Sequence, residues 1–322
     1  QGKNYLHIGD HLVHDCICAK FAGMDYCLIS QGLKAAGNSF LSACITKAKS
    51  LEEHIMLGMV IASTLNSPFR RCNEEGKIAI LSEYEYSFTF CAALISQFVL
   101  WIYSQVKKEA FENILFASRD GYLIQKMYEI LVTKREEWSM PAGQYFYISR
   151  KAAVMTCINN EAYINMIIDI SSGMSPRKMM KERFGLSPQK ILKYEKEKYN
   201  IIHSYVWAHV NAIFERADEA KRNYFKYMGN IGLQIGKKYA FMDFVSSGTS
   251  QKSLGKIAPF ELRGIYAGWN SPENKEEVGV KALFDNSSSF FMKNYKIVET
   301  FMTSPEPSLS HFDDEGNPVF EK

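Results

Sequence analysis

Residues Tyr239–Leu254, YAFMDFVSSGTSQKSL, decide the reading of this chain. Mostly apolar residues run into Asp243. A small polar turn follows through Ser246, Ser247, Gly248, Thr249 and Ser250, and a helical pattern begins at Gln251. A buried strand that empties into a hydroxyl- and glycine-rich loop opening a helix is the outline of a phosphate cradle. Loop N–H groups and the helix N-terminus point at one place, and Ser and Thr add neutral donors. Taken alone, the pattern is equally an ordinary strand–turn–helix connection with a good N-cap. Similar turns elsewhere in the chain weigh against that plainer reading.

Upstream, ILFA (114–117) is a short apolar strand, SRDG (Ser118–Gly121) follows it, and YLIQKMYEILVTK is an amphipathic helix with Leu123, Met127, Ile130 and Leu131 on one side. A second unit, YFYIS (145–149), delivers Ser149, Arg150 and Lys151 into another helix-like run, and LRGIYAGWN (262–270) reads as a further strand. Continuous apolar strands alternating with helices predict an α/β fold with a mostly parallel sheet covered by helices on both faces. In such sheets the ligand crevice lies outside the carboxyl ends of the strands. That edge collects Ser118, Arg119, Asp120, Gly121, Ser149, Arg150, Lys151, Asp243 and the Ser246–Ser250 turn. Arginine favours planar contact with phosphate or carboxylate, and an aspartate beside it suits a metal or a ribose hydroxyl.

Length and composition set the outer bounds. The 322 residues allow two domains or one large α/β domain with additions, and 47% hydrophobic with 23% charged residues is a globular balance. A net charge of +3 is too small to argue for a nucleic-acid partner. Seven scattered cysteines without a CxxC pair point to reduced thiols and a cytoplasmic setting, with the inner face of the membrane as an alternative peripheral location. The first residues, QGKNYLHIGD, hold no secretory segment. The most apolar run, Phe88–Tyr103, spans ~16 residues against the ~20 needed to cross a bilayer, and its interruptions at Thr89, Ser96 and Gln97 favour a buried helix over a transmembrane segment.

The remaining segments are read as follows. Tyr5–Ile8 is a strand leading to Asp10 and Asp15, followed by a helix, a glycine stop at Gly23 and a second short strand. Residues 33–83 form a helical linker, with RRCNEEGK a charged loop. Residues 160–235 form a helical insertion with starts at Ser175-Pro176 and Ser187-Pro188, and KYEKEKYN and FERADEAKRNYFKYMG as charged helices. NSPENKEE is a polar loop. The ending carries Glu299 on an apolar run, then a proline-punctuated loop with Ser304, Glu306 and Ser308 that caps the sheet.

Two resemblances sharpen these expectations. YLHIGDHLVHD with the AGM turn is similar to the last acidic motif of the haloacid-dehalogenase (HAD) phosphatases, whose GD…D pair holds Mg²⁺; this implies a HAD-like fragment over 1–32 with Asp10 and Asp15 as metal ligands if the domain is complete. Without the DxDxT nucleophile motif, the segment is not expected to be a competent phosphatase. DFVSSGTS resembles the PRPP-binding signature of the phosphoribosyltransferases, with SRDG in the place of their pyrophosphate loop; Phe244 stands where the usual second acid would be. More closely, 84–322 is similar to the module found behind HAD phosphatase domains in bacterial surface-polysaccharide loci. The resemblance implies transfer of ribofuranosyl 5-phosphate from PRPP, or another phosphosugar donor, to a glycan or lipid-linked glycan, with a HAD phosphatase domain in cis or trans. On it, Ser118, Arg119, Gly121, Ser149 and Arg150 bind pyrophosphate; Asp243, Ser246, Ser247, Gly248, Thr249 and Ser250 bind the ribose phosphate, with Mg²⁺ as cofactor. Asp120 or Glu299 deprotonates the acceptor. The alternatives are a Mg²⁺-dependent phosphosugar phosphatase and a non-catalytic phosphosugar- or nucleotide-binding module.

Overall fold

The computed structural model describes residues 4–66, 77–134, 139–171, 173–196, 198–199, 201–271, 274–285 and 289–321. The greater part of the RRCNEEGK loop and two residues of NSPENKEE lie outside them. The chain divides into two compact units, residues 1–96 and 97–322.

In the first unit, β1 (Leu6–Gly9) and β2 (Asp25–Leu28) pair in parallel, and the turns between them are wound as helix over Leu12–Phe21. The expected strand–helix–strand order is therefore present. Helices Gly32–Gly37, Ser42–Lys47 and Leu51–Leu65 follow, packed around Ala36, Leu41 and Leu65. The longest opens on a capping box: Ser50 accepts the Glu53 N–H, and the Glu53 carboxylate reaches back to the Ser50 N–H.

The sequence from Tyr84 through Val106 reads as one long, largely apolar helix, and that helix forms. Helical winding continues from Glu83 to Val106, 24 residues, long and apolar enough by length and composition to cross a membrane, with 33% of its most apolar window buried. Thr89, Ser96 and Gln97 do not break it, because such residues sit comfortably in a helix whose flanking turns are strong. A single helix of this kind is also what the core of a soluble protein contains.

The second unit is built on five parallel strands, β3 (Asn113–Ala117), β4 (Ala142–Phe146), β5 (Lys238–Ser246), β6 (Glu261–Trp269) and β7 (Val280–Phe284), in the order β4-β3-β5-β6-β7. Alternation along the strands sends side chains to two apolar layers. Leu115, Phe146, Tyr239 and Phe241 join Tyr224 and Tyr227 of helix Val210–Asn230 and Leu254 of helix Thr249–Ile257. On the other face Phe116 packs against Tyr128 of helix Tyr122–Lys134, and Phe244 against Phe291 of helix Phe290–Met302. The sheet is thus covered on both faces, as the unbroken apolar strands require.

Three boundaries depart from the sequence reading. β4 ends at Phe146, so Ser149 caps a helix instead of closing a strand. Asp243 lies within β5, and the next helix begins at Thr249, two residues before Gln251. β7, and the antiparallel hairpin of β8 (Leu309–Phe312) with β9 (Pro318–Phe320), carry no strong sequence signal.

The insertion is helical and has its own core. Glu161–Ile170, Pro176–Glu182, Ile202–Trp207 and Val210–Asn230 enclose Ile164, Met180, Phe184, Tyr205 and Val206. The expected KYEKEKYN helix does not form: the described residues between Ile191 and Tyr199 are irregular. Tyr194 and Tyr199 instead turn inward, each 5.1 Å from the Tyr205 ring at a near-perpendicular angle. Aromatic burial outweighs the helical preference of the lysines and glutamates between them.

Candidate active site at the switch point of the sheet

The chain runs from β3 outward to β4, then returns past β3 to β5, so strand order reverses between β3 and β5. The crevice of a doubly wound sheet opens at that reversal. The two loops that begin there are SRDG and Ser246–Gly248, the pair singled out in the sequence.

The SRDG loop is tightly held. Ser118 does not point a free hydroxyl outward: its Oγ donates to the Ile148 carbonyl at 2.9 Å and accepts the Ile148 N–H at 3.1 Å. Arg119 has φ +71°, and among the described residues it alone combines a side chain with a left-handed backbone. Its N–H donates to Tyr145 Oη at 2.7 Å, its carbonyl accepts the Ser304 N–H at 3.1 Å, and its Nη1 donates to Ser308 Oγ at 2.8 Å. Gly121 is required by packing: a Cβ there would stand 2.4 Å from the Ala117 carbonyl oxygen. Ser149 Oγ accepts the Ala152 N–H as an N-cap, and Lys151 pairs with Glu321, 3.3 Å away. Of the residues expected to meet pyrophosphate, Arg119 and Arg150 keep exposed guanidinium groups, whereas Ser118 and Ser149 are committed to the scaffold.

The second loop joins β5 to helix Thr249–Ile257. Gly248 adopts φ +73° at the N-cap of helix Thr249–Ile257, and Ser246 Oγ accepts its N–H at 3.2 Å. Ser247 Oγ and Thr249 Oγ1 lie 3.1 Å apart. The first N–H groups of the helix have no acceptor within it, so Thr249 and Ser250 present donors at its positive end. Any Cβ on Gly248 would meet the Trp269 ring at 2.9 Å in a left-handed conformation. Gly248→Ala is expected to cost about 2–4 kcal/mol, read as a lowered urea midpoint with unchanged slope.

Three carboxylates from distant parts of the chain face this edge. Asp243 is pushed up to about 6, first by burial and then by the charge of Asp120, against the opposing Phe244 N–H, Ser246 hydroxyl and Arg150. Glu299 is pushed up to about 7 by burial, by the charge of Asp120 and by a hydrogen bond shared with it. Asp120 is raised by burial, with Arg119, Glu299 and Thr303 pulling the other way. Burial thus raises both members of the Asp120–Glu299 pair, so the two carboxylates favour a protonated form more than isolated ones would. Thr303, which sequence reading passed over, closes helix Phe290–Met302, with Oγ1 2.7 Å from the Glu299 carbonyl oxygen and 3.3 Å from Asp120 Oδ1.

Phe244 explains why a second acid is missing from the β5 loop. Its side chain alternates to the opposite face and is buried against Phe291. Asp120 and Glu299 bring the further carboxylates from elsewhere. Among the described residues no three His, Cys, Asp or Glu side chains converge on a metal position. Mg²⁺ can be held by one or two carboxylates when substrate phosphates fill the rest of its shell, and Asp120 and Asp243 are the carboxylates at this edge that could serve it in that way.

In the first unit, Asp15 accepts the His11 N–H at 2.8 Å and contacts His7 Nε2 at 3.0 Å, which together hold its carboxyl below the usual range. Asp10 accepts from the Gln31 amide. Gly9 leaves room for the Asp15 carboxylate, because a Cβ there would fall 2.2 Å from Asp15 Cγ. Both aspartates therefore have partners within the unit.

No protein-family model matches this chain, and no curated protein matches it.

Proposed function

We propose that the second unit transfers ribofuranosyl 5-phosphate from PRPP to a hydroxyl of a glycan acceptor. The observation that supports this reading is the meeting, at one switch point, of an arginine-bearing loop and a hydroxyl-rich helix N-terminus with carboxylates of raised pKa. PRPP needs that arrangement: a 5-phosphate at one end, a pyrophosphate at the other, and a reacting carbon between them.

On this reading the Ser246–Ser250 loop takes the 5-phosphate through backbone N–H groups and hydroxyls. Arg119 and Arg150 take the pyrophosphate, where positive charge favours the leaving group as negative charge builds on it. Asp243 faces the ribose hydroxyls. The acceptor oxygen forms a bond to ribose C1 as the bond from C1 to pyrophosphate breaks, and its proton passes to a carboxylate. Glu299, with a pKa near 7, suits that role better than Asp120, since a base is most effective when poised near working pH. Mg²⁺ carried in with the substrate would neutralise pyrophosphate charge.

The test is mass spectrometry of a glycan acceptor incubated with PRPP and the full chain. A gain of one pentosyl phosphate supports the reading; loss of inorganic phosphate alone would favour a phosphatase, and binding without turnover a non-catalytic module.

The raised carboxylates also fix a pH dependence. Glu299 moves from 4.5 to about 7 on folding, so between those values the folded chain holds a proton that the unfolded chain has released. Stability from this group is therefore full at low pH and falls as pH rises through about 7. Glu299→Gln is expected to be about 1–2 kcal/mol more stable than wild type at pH 8, with the gap closing near pH 5, while wild-type turnover rises over the same interval. Thermal melts at the two pH values check the first part, and a pH–rate profile the second.

A further inference from the structure

The left-handed Arg119 stands in a sparsely populated backbone region that costs free energy and persists only where surrounding structure over-determines it. The determining contacts are specific. Tyr145, at the penultimate position of β4, takes the Arg119 N–H, and its own hydroxyl proton goes to the Glu306 carboxylate. Ser304 Oγ lies 3.4 Å from the same phenol oxygen, Ser304 N–H closes on the Arg119 carbonyl, and Ser308 Oγ receives the guanidinium. The segment Thr303–Ser308 is therefore a strap across the SRDG loop, and Tyr145 is the post to which it is tied. Burial and the neighbouring Glu306 push the Tyr145 phenol above its ordinary range, which keeps it a donor at every working pH.

We infer that Tyr145, with Glu306 and the Thr303–Ser308 strap, is the positioning device that holds Arg119 in its left-handed conformation and so aims its guanidinium at the pyrophosphate end of the site. The inference rests on the reading of Arg119 as a pyrophosphate ligand, and it adds residues that touch no reacting atom. A side chain on a left-handed residue projects at an angle that a right-handed or extended backbone would not give it, so releasing the backbone swings the charge away from the loop. The arrangement also explains why the strap is rich in serine and proline. It needs short donors at fixed positions and little freedom to lose.

The test combines amide hydrogen exchange with calorimetric titration by inorganic pyrophosphate, on the full chain and on Tyr145→Phe, Arg119→Ala and the double variant. In Tyr145→Phe the Arg119 amide is expected to exchange at least tenfold faster while the β5 amides keep their protection, and pyrophosphate affinity to fall roughly tenfold. In the Arg119→Ala background, Tyr145→Phe is expected to change affinity no further, since the two act through one contact. Glu306→Gln, which leaves the phenol in place, is expected to move both readouts in the same direction by a smaller factor. Unchanged Arg119 exchange, or losses that add in the double variant while wild type binds normally, would overturn the positioning role alone. A wild-type chain that binds no pyrophosphate would overturn it together with the substrate reading.

Discussion

Arg119→Ala and Asp243→Asn are each expected to lower PRPP-dependent glycan labelling by about 10²–10³-fold while leaving the protein folded. The reasons differ. Arg119 is exposed at the loop after β3, where its guanidinium donates to Ser308 Oγ and its charge acts on Asp120 and Glu299. Its removal should act mainly on turnover, because charge on the leaving pyrophosphate grows as the bond to C1 breaks. Asp243 is half-buried inside β5, and its pKa is raised by burial and by Asp120. Asparagine keeps its shape and removes a charge the fold disfavours, so Asp243→Asn should be at least as stable as wild type above pH 6 while losing activity. Steady-state rates beside melting curves separate the two effects. Full turnover in both variants would remove the switch-point edge from the chemistry.

Gly121→Ala is expected to produce a large stability loss from a small change, about 2–4 kcal/mol. The added Cβ would lie 2.4 Å from the Ala117 carbonyl oxygen and 2.9 Å from Met242 Cε. The methionine tip can move aside, but the carbonyl belongs to β3, the strand at the centre of the reversal. Ala117 O also accepts the Gly121 N–H at 2.9 Å, so relief of the clash breaks the turn that presents Arg119. Urea unfolding should show a lower midpoint with the same slope, and pyrophosphate binding should weaken in parallel. An unchanged midpoint would contradict the packing described for this junction.

The sheet was legible where strands are buried on both faces. ILFA, YAFM and GIYAGW are apolar runs with glycine, serine or aspartate at their ends, and those features alone place β3, β5 and β6. β7 was not legible, because an edge strand such as VKALF is short, carries a lysine and follows a polar loop. The β8–β9 hairpin was hidden by its prolines, which read as loop until the long-range packing of Phe312 on Tyr224 and Tyr227 is seen. At the site, the loops were recognisable from local chemistry, since glycine and hydroxyl residues at a strand end have few other uses. What could not be read was how the hydroxyls are used. Ser118 and Ser149 look like ligands in sequence and are scaffold in the fold, because a serine beside an unpaired backbone group caps it. The pairing of Tyr145 with Glu306 is illegible for the complementary reason: it joins residues 161 positions apart, and no local pattern encodes it.

In the proposed reaction one edge of the sheet holds two anion subsites, one for each end of PRPP. Competition calorimetry with inorganic pyrophosphate and ribose 5-phosphate tests it most directly. Each is expected to bind with one-to-one stoichiometry in the presence of the other, PRPP to exclude both, and Arg119→Ala to weaken pyrophosphate while sparing ribose 5-phosphate. Mutual exclusion of the two small ligands at a single subsite, or failure of either to bind, would contradict it.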